Sequence, residues 1–269
     1  MNTLVQQWVT RPLRTKAKRV ILASLIGGLL SPAWGQNLYT TGFEKPTFLP
    51  GSILAGQDGW VAPPPFSPDA AVIAAGKKNS PHGQTLRVEG ADLEHQDFIG
   101  EATDGYYDAI GSYRRAVDYD TGGTATIRIS VDVLLDGRKT PGGDFFSASL
   151  SGIAQSDEGA EGIGQLTISS DGHVYGSSGQ DLVPTFIASK RVALGKWHHL
   201  AIEMDFADRT YSFYVDGKWL GTFDFEQRET YSLFSRASLI TLTGPDTAQD
   251  KKADHAVNFD NFKIEVVPD

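Results

Sequence analysis

Several groups of side chains in this sequence have the types and spacing to do chemistry. Glu203-Met204-Asp205-Phe206-Ala207-Asp208 places three carboxylates within six positions. Carboxylate pairs hydrolyse glycosidic bonds when they face each other about 5–5.5 Å apart. Glu203 and Asp205 share a strand face, but Asp208 enters a turn, so the string is a poor catalytic pair. Tyr113, Arg114, Arg115, His173 and Tyr175 are the residue types that take a proton beside a uronate carboxylate and neutralise its charge. His198 and His199 have no third His or Cys nearby, so zinc is not expected. Two acid-rich stretches, Asp97 to Asp108 and Asp157 to Glu161, lack the fixed spacing of a calcium loop and read as solvated.

Aromatic rings offer a different chemistry, because sugars lay their apolar C–H faces on exposed rings. Tyr106, Tyr107, Tyr113 and Tyr119 fall in a stretch with Gly and Asp that reads as loop. Tyr106, Tyr107 and Tyr113, with Asp104 and Arg115 as polar partners, are the predicted ligand-binding residues. Trp60 and Trp219 read as core or edge packing, where most large rings go.

Strands must position all of these. Thr126 to Val133 alternates strictly, with Ile127, Ile129, Val131 and Val133 on one face. Gln165 to Ser169 runs into Asp171-Gly172 and returns through Val174 and Tyr175, a hairpin signal. Trp197 to Phe206, Thr210 to Val215 and Lys218 to Phe223 are joined by short turns, the second of them Asp216-Gly217. Ala237 to Leu242 and Val257 to Val267 complete the pattern, and nothing after residue 35 shows a long helical apolar stripe. Many strands with Gly and Asp-Gly turns predict a two-sheet sandwich or jelly roll.

The start of the chain differs. Residues 1–35 hold five basic and no acidic side chains, then the apolar run Val20 to Leu30, then Ser31-Pro32 and Ala33-Trp34-Gly35. That is the layout of a secretory signal cut before Gln36. Eleven apolar residues are too few to span a bilayer, which takes about 20. The predicted mature domain is therefore 36–269, secreted to the periplasm or beyond, with no membrane span after cleavage. The whole chain carries −9, and loss of five bases takes this to −14. Such a balance excludes nucleic acid, whose phosphates need a basic face. Cys is absent, so no disulfide is needed, and 269 residues suffice to bury a core.

Gly195-Lys196-Trp197-His198-His199-Leu200-Ala201-Ile202-Glu203, followed by Tyr211-Ser212-Phe213-Tyr214-Val215-Asp216-Gly217-Lys218, resembles a hairpin of the concanavalin A-like lectin/glucanase superfamily. That superfamily includes laminin-G-like jelly rolls and laminarinase-type β-glucanases. Val257 to Ile264 resembles its last strand, and Gly42-Phe43-Glu44 with Gly59-Trp60 its start. The resemblance implies an all-β, concanavalin A-like antiparallel sandwich behind an N-terminal signal helix. It implies neighbouring terminal strands and a structural calcium there, with Glu44 and Asp260 as ligands. It also supplies an E-x-D-x-x-E pattern, which Glu203 to Asp208 matches except at its last member and in its place inside the hairpin. The alginate-lyase motifs of the same architecture are missing. The expected function is non-catalytic binding of a polysaccharide or cell-surface glycan. A glycoside hydrolase or polysaccharide lyase on the same fold is the alternative, and a structural or adhesive envelope protein the second.

Overall fold

A computed structural model describes residues 35–63, 71–75, 82–89, 108–135, 146–156, 161–178, 186–188, 191–225, 231–243 and 256–268. The signal segment lies outside the described residues except for Gly35, and so do Asp104, Tyr106, Tyr107 and most of the two acid-rich stretches. The strands in chain order are β1 (Asn37–Thr41), β2 (Trp60–Val61), β3 (Ala71–Ala74), β4 (Thr85–Glu89) and β5 (Asp108–Asp120). Next come β6 (Thr126–Leu135), β7 (Phe146–Ser156), β8 (Glu161–Ser169), β9 (Val174–Ser178) and β10 (Phe186–Ile187). The last five are β11 (Trp197–Asp205), β12 (Thr210–Val215), β13 (Lys218–Asp224), β14 (Tyr231–Thr243) and β15 (Ala256–Val267). Among the described residues no helix is long and apolar enough to cross a membrane.

The strands form two antiparallel sheets. Sheet A runs β13-β12-β11-β6-β15-β4-β3, with β1 also paired to β15. Sheet B runs β10-β9-β8-β7-β14-β5-β2. The first and last strands are thus neighbours, with Thr40 opposite Lys263 and Thr41 opposite Phe262. The alternation expected of 126–133 holds, since Ile127, Ile129, Val131 and Val133 are all fully buried. Tyr211, Phe213 and Val215 point inward from β12, and Ser212 and Tyr214 outward. Asp216 and Gly217 both take positive φ, 51° and 72°, as a two-residue turn joining β12 to β13 requires.

One reading is corrected. Residues 108–120 form the 13-residue strand β5, not a loop, paired along its length to β14. The polar spacing of Ser112, Arg114 and Asp118 hid its alternation, because one face of β5 is polar without being solvent-exposed at Ser112.

The layers meet through glycines. A Cβ built on Gly164 of β8 would lie 2.4 Å from Tyr211 Cδ1, and one on Gly152 of β7 would lie 2.6 Å from Met204 Sδ. Sheet B yields space at these points for the large rings and thioether of sheet A. Overpacking a filled core costs about 1–3 kcal/mol. Gly164→Ala should therefore lower unfolding stability by about that amount. Urea denaturation checks this, and an unchanged midpoint would show that Tyr211 has room to move.

Candidate functional site

Sheet B has a second face, turned away from sheet A, and its side chains follow from the register. One row crosses the sheet as Arg114 on β5, Ser238 on β14, Ser151 on β7, Gln165 on β8 and Ser177 on β9. The next row is Ser112, Ile240, Ser149, Thr167 and Tyr175. Arg236 stands above the first row, opposite Ala116 and Ile153. The outer face of an antiparallel sheet is usually solvated and charged. Here Ser149 is 0% exposed, Ser151 and Ser238 1% and Gln165 4%. The half-buried Arg114, Arg236, Ile240 and Tyr175 stand among these small, buried residues, and together they make the floor of the outer face of sheet B.

This floor is rich in hydrogen-bonding atoms and poor in partners. Ser149 and Thr167 share a hydroxyl–hydroxyl bond of 2.7 Å, and Gln165 Nε2 donates to both, at 3.3 and 3.2 Å. Among the described residues, Ser147 Oγ, Gln165 Oε1 and Ser238 Oγ are buried and have no partner. Leaving a buried polar atom unsatisfied costs about 1–3 kcal/mol, so each such atom calls for an explanation.

At one end of the floor lie Asp171, His173 and Arg191. His173 Nδ1 faces Asp171 Oδ2 at 2.5 Å, and Nε2 accepts from Arg191 Nε at 3.1 Å. Both ring nitrogens are therefore engaged by protein groups. The ring packs edge-on against Tyr175, with centroids 6.0 Å apart.

Of the predicted ligand-binding residues, Tyr113 and Arg115 are described, and both point inward. Tyr113 is 1% exposed and belongs to the core, so its ring offers no face to a sugar. Arg115 shares that inward direction at the end of the sandwich, opposite Trp60. Its guanidinium carbon lies 4.4 Å from the centre of the Tyr39 ring, a cation–π contact. Its neighbour Arg114 is the one on the floor, because side chains along a strand alternate between faces. Trp60 is fully buried as expected, against Phe262 at 5.1 Å between centroids. Trp219 departs from the packing expectation and is 62% exposed. Glu203 does not form a carboxylate pair. It accepts from Arg128 Nε at 2.8 Å and from the Tyr214 hydroxyl at 2.8 Å.

Glu44 and Asp260 do reach one corner, beside Gly42. A Cβ on Gly42 would lie 3.4 Å from Asp260 Oδ1 and 3.6 Å from Glu44 Cγ. Calcium takes six to eight oxygens at 2.3–2.6 Å, and here the carboxylates already have protein partners. Asp260 Oδ2 is 2.8 Å from His82 Nδ1, and Oδ1 accepts the Asn261 N–H at 2.7 Å. Glu44 Oε1 accepts the Gln84 N–H at 2.6 Å, lying over Gly83 where a Cβ would collide with it. Among the described residues no three acidic or imidazole groups converge on a metal position. As arranged, the donor set does not form a calcium cage.

The corner is a hydrogen-bonded knot. The His82 ring stacks on Trp197 at 3.8 Å between centroids. A bulge in β15 gives Asn261 a φ of 49°, and its amide donates to Asp132 Oδ2 at 2.8 Å. Asp132 Oδ1 faces His199 Nδ1 at 2.7 Å. Burial pushes the Asp260 carboxyl above its ordinary range, against the pull of His82. Burial also acts to raise Asp132, but hydrogen bonds from His199 and Asn261 outweigh it and hold the group low.

Comparison with known proteins places the fold. No protein-family profile matches the sequence, and no curated protein does. A carbohydrate esterase, vb_24B_21 from Shiga toxin-encoding bacteriophage phi24B, superposes with a TM-score of 0.50 at 12% identity, over 87% of this chain and 100% of that one. Alginate lyase Aly36B gives 0.47 at 12% identity, over 74% and 84%. A sialidase gives 0.45 at 16% identity over 77% of this chain, which spans only 17% of that protein. The described strands form a two-sheet antiparallel β-sandwich, a fold shared with that esterase.

The Asp171 group sets a pH dependence. Burial acts to raise its pKa, but hydrogen bonds from Ser169 and His173 prevail and bring it from 3.8 down to about 2. A lowered carboxyl stabilises the fold above its unfolded pKa, and that contribution fades as pH falls through the folded one. Asp171→Asn should remove the part of the acid destabilisation that falls between pH 3.8 and about 2. Melting temperatures across that range check it, and parallel curves for both proteins would refute it.

Proposed function

We propose that this protein binds carbohydrate on the floor of sheet B, as an exported, non-catalytic domain that meets polysaccharide or cell-surface glycan outside the cytoplasm. The observation that carries this reading is the outer face of sheet B itself, where Ser238, Ser151, Gln165 and Ser177 and then Ser149 and Thr167 line up across adjacent strands in place of the long charged side chains of a solvated face. A pyranose offers donors and acceptors around its rim and apolar C–H groups on its faces. Ser149, Ser151 and Thr167 suit the rim, and Ile240 and Tyr175 suit the faces. The carbohydrate esterase of similar fold lends general support, since its activity is on the same ligand class. Export rests on the layout of residues 1–35.

Binding is favoured over turnover by the chemistry of the floor. Apart from the Tyr175 phenol and the Asp171–His173 pair at its end, its described side chains are hydroxyls, an amide, guanidiniums and apolar groups, which orient a ligand without moving protons near neutral pH. His173 would have to release Arg191 before its Nε2 could act as a base. A glycan array, with reducing-sugar and unsaturated-uronate assays on the same polysaccharides, tests both readings on protein recovered from periplasm or culture fluid. Binding without product is the expected result. Gln165→Ala and Ser238→Val should each weaken binding about three- to tenfold, the worth of one hydrogen bond, measured at a temperature where both variants remain folded. Product release from any polymer would replace this reading with the lyase or hydrolase alternative.

A structural calcium at Glu44 and Asp260 is a separate proposal, supported by the shared corner alone. It requires His82 to leave Asp260 Oδ2 and the Gln84 N–H to give up Glu44. Calcium should then raise the melting temperature of the wild type but not of Asp260→Asn. An unchanged transition in EDTA, with a negative metal analysis, removes it.

A further inference from the structure

We propose that the outward face of sheet A carries a second sugar-stacking surface, centred on Trp219 and separate from the floor of sheet B. This rests on the reading that the protein binds carbohydrate and extends it to the opposite layer.

The indole has no packing role that accounts for it. Trp219 lies on the edge strand β13 and is 62% exposed, the most exposed large apolar side chain among the described residues. A tryptophan left in water on a regular strand gives up burial worth more than that of almost any other side chain. Trp219 is nevertheless held in place. Its Nε1–H donates to Thr222 Oγ1 at 3.1 Å, three residues along the same strand. The Thr222 hydroxyl is in turn 2.7 Å from Ser212 Oγ on β12. The ring is therefore drawn back along the sheet with its polar edge satisfied, and a stacking ligand meets it without first ordering it.

The register supplies the rest of the surface. Trp219 is the direct cross-strand partner of Tyr214, so both rings leave the same face. The Tyr214 hydroxyl donates to Glu203, which Arg128 clamps from β6, and this fixes the second ring as well. The two rings leave one face, Tyr214 held toward Glu203 on β11 and Trp219 toward Thr222 along β13, with the hydroxyls of Ser212 and Thr222 beside the indole. A pyranose laid on Trp219 would cover the indole with its C–H face and direct rim hydroxyls toward that border. The acidic chain disfavours nucleobases, the other common stacking ligands, because their phosphates would be repelled. Two sugar surfaces on opposite layers would let one protein hold two chains of a polymer, so that avidity adds to affinity.

Affinity gel electrophoresis of the full chain in laminarin, xylan and alginate tests this, with Trp219→Ala, Trp219→Phe and Gln165→Ala run beside the wild type. Trp219→Ala should weaken retardation by about tenfold or more, Trp219→Phe should retain most of it, and Trp219→Ala with Gln165→Ala should abolish it. Wild-type retardation by Trp219→Ala, with Gln165→Ala impaired, would overturn this surface and leave the floor standing. Impairment by Trp219→Ala alone would support the surface and count against the floor. A wild type retarded by none of the three would overturn the proposal. So would a Trp219→Ala effect seen only as lost self-association in sedimentation, which would assign Trp219 to a protein contact.

Discussion

Two-residue alternation along each strand is the constraint from which the remainder of this structure follows. Every second side chain of β6, β11, β12 and β15 enters the space between the sheets, and the intervening residues are left for other uses. A shift by one residue would put Ile127, Ile129, Val131 and Val133 into water and Arg128, Ser130 and Asp132 into the core. The apolar face thus locks the register, and the locked register determines what stands on each outer face. Arg114 and Arg115 show the consequence. Adjacent in sequence and alike in chemistry, they point to opposite sides of sheet B, one to the serine floor and the other to the Tyr39 ring.

The two outer faces have developed differently. That of sheet B holds small, buried hydroxyl and amide side chains among larger ones, with oxygens that lack a partner among the described residues. That of sheet A holds long charged side chains tied to each other. Tyr214, Glu203, Arg128, Glu265 and Lys263 bridge four adjacent strands, β12, β11, β6 and β15. The first face presents hydroxyls and an amide, whereas the charged side chains of the second are tied to one another and Trp219 projects at its edge.

The corner where the chain ends meet has its own logic. Pairing of β1 with β15 brings Gly42-Phe43-Glu44 against Asp260-Asn261, and Gln84 bonds the carbonyls of Phe43 and Phe48 at 2.7 and 3.1 Å. Phe43, Phe48, Trp60, Tyr39 and Phe262 form a continuous ring cluster beneath it. The Tyr39 hydroxyl, raised to about 12 by burial and by Asp58, stays protonated and donates to that carboxylate at 2.7 Å. Polar bonds above and aromatic contacts below secure a junction that is distant in sequence.

Strand period, Asp-Gly turns and the hairpin from Trp197 to Phe223 were legible from residue order, because alternation and positive-φ turn chemistry are local properties. They determined an all-β sandwich and the inward set of its hairpin, and the terminal resemblance anticipated that Glu44 and Asp260 would meet. The serine floor left a local trace in Ser147-Ala148-Ser149-Leu150-Ser151, an alternation with small hydroxyls where an exposed face would carry Lys or Glu. Its meaning depended on which strands lie beside it. Only the tertiary structure placed β14 between β5 and β7, set Arg114 beside Ser238, buried Tyr113 and left Trp219 in the open. Those outcomes are fixed by pairings between strands more than a hundred residues apart and by packing between layers, and neither is encoded in any single stretch of the chain.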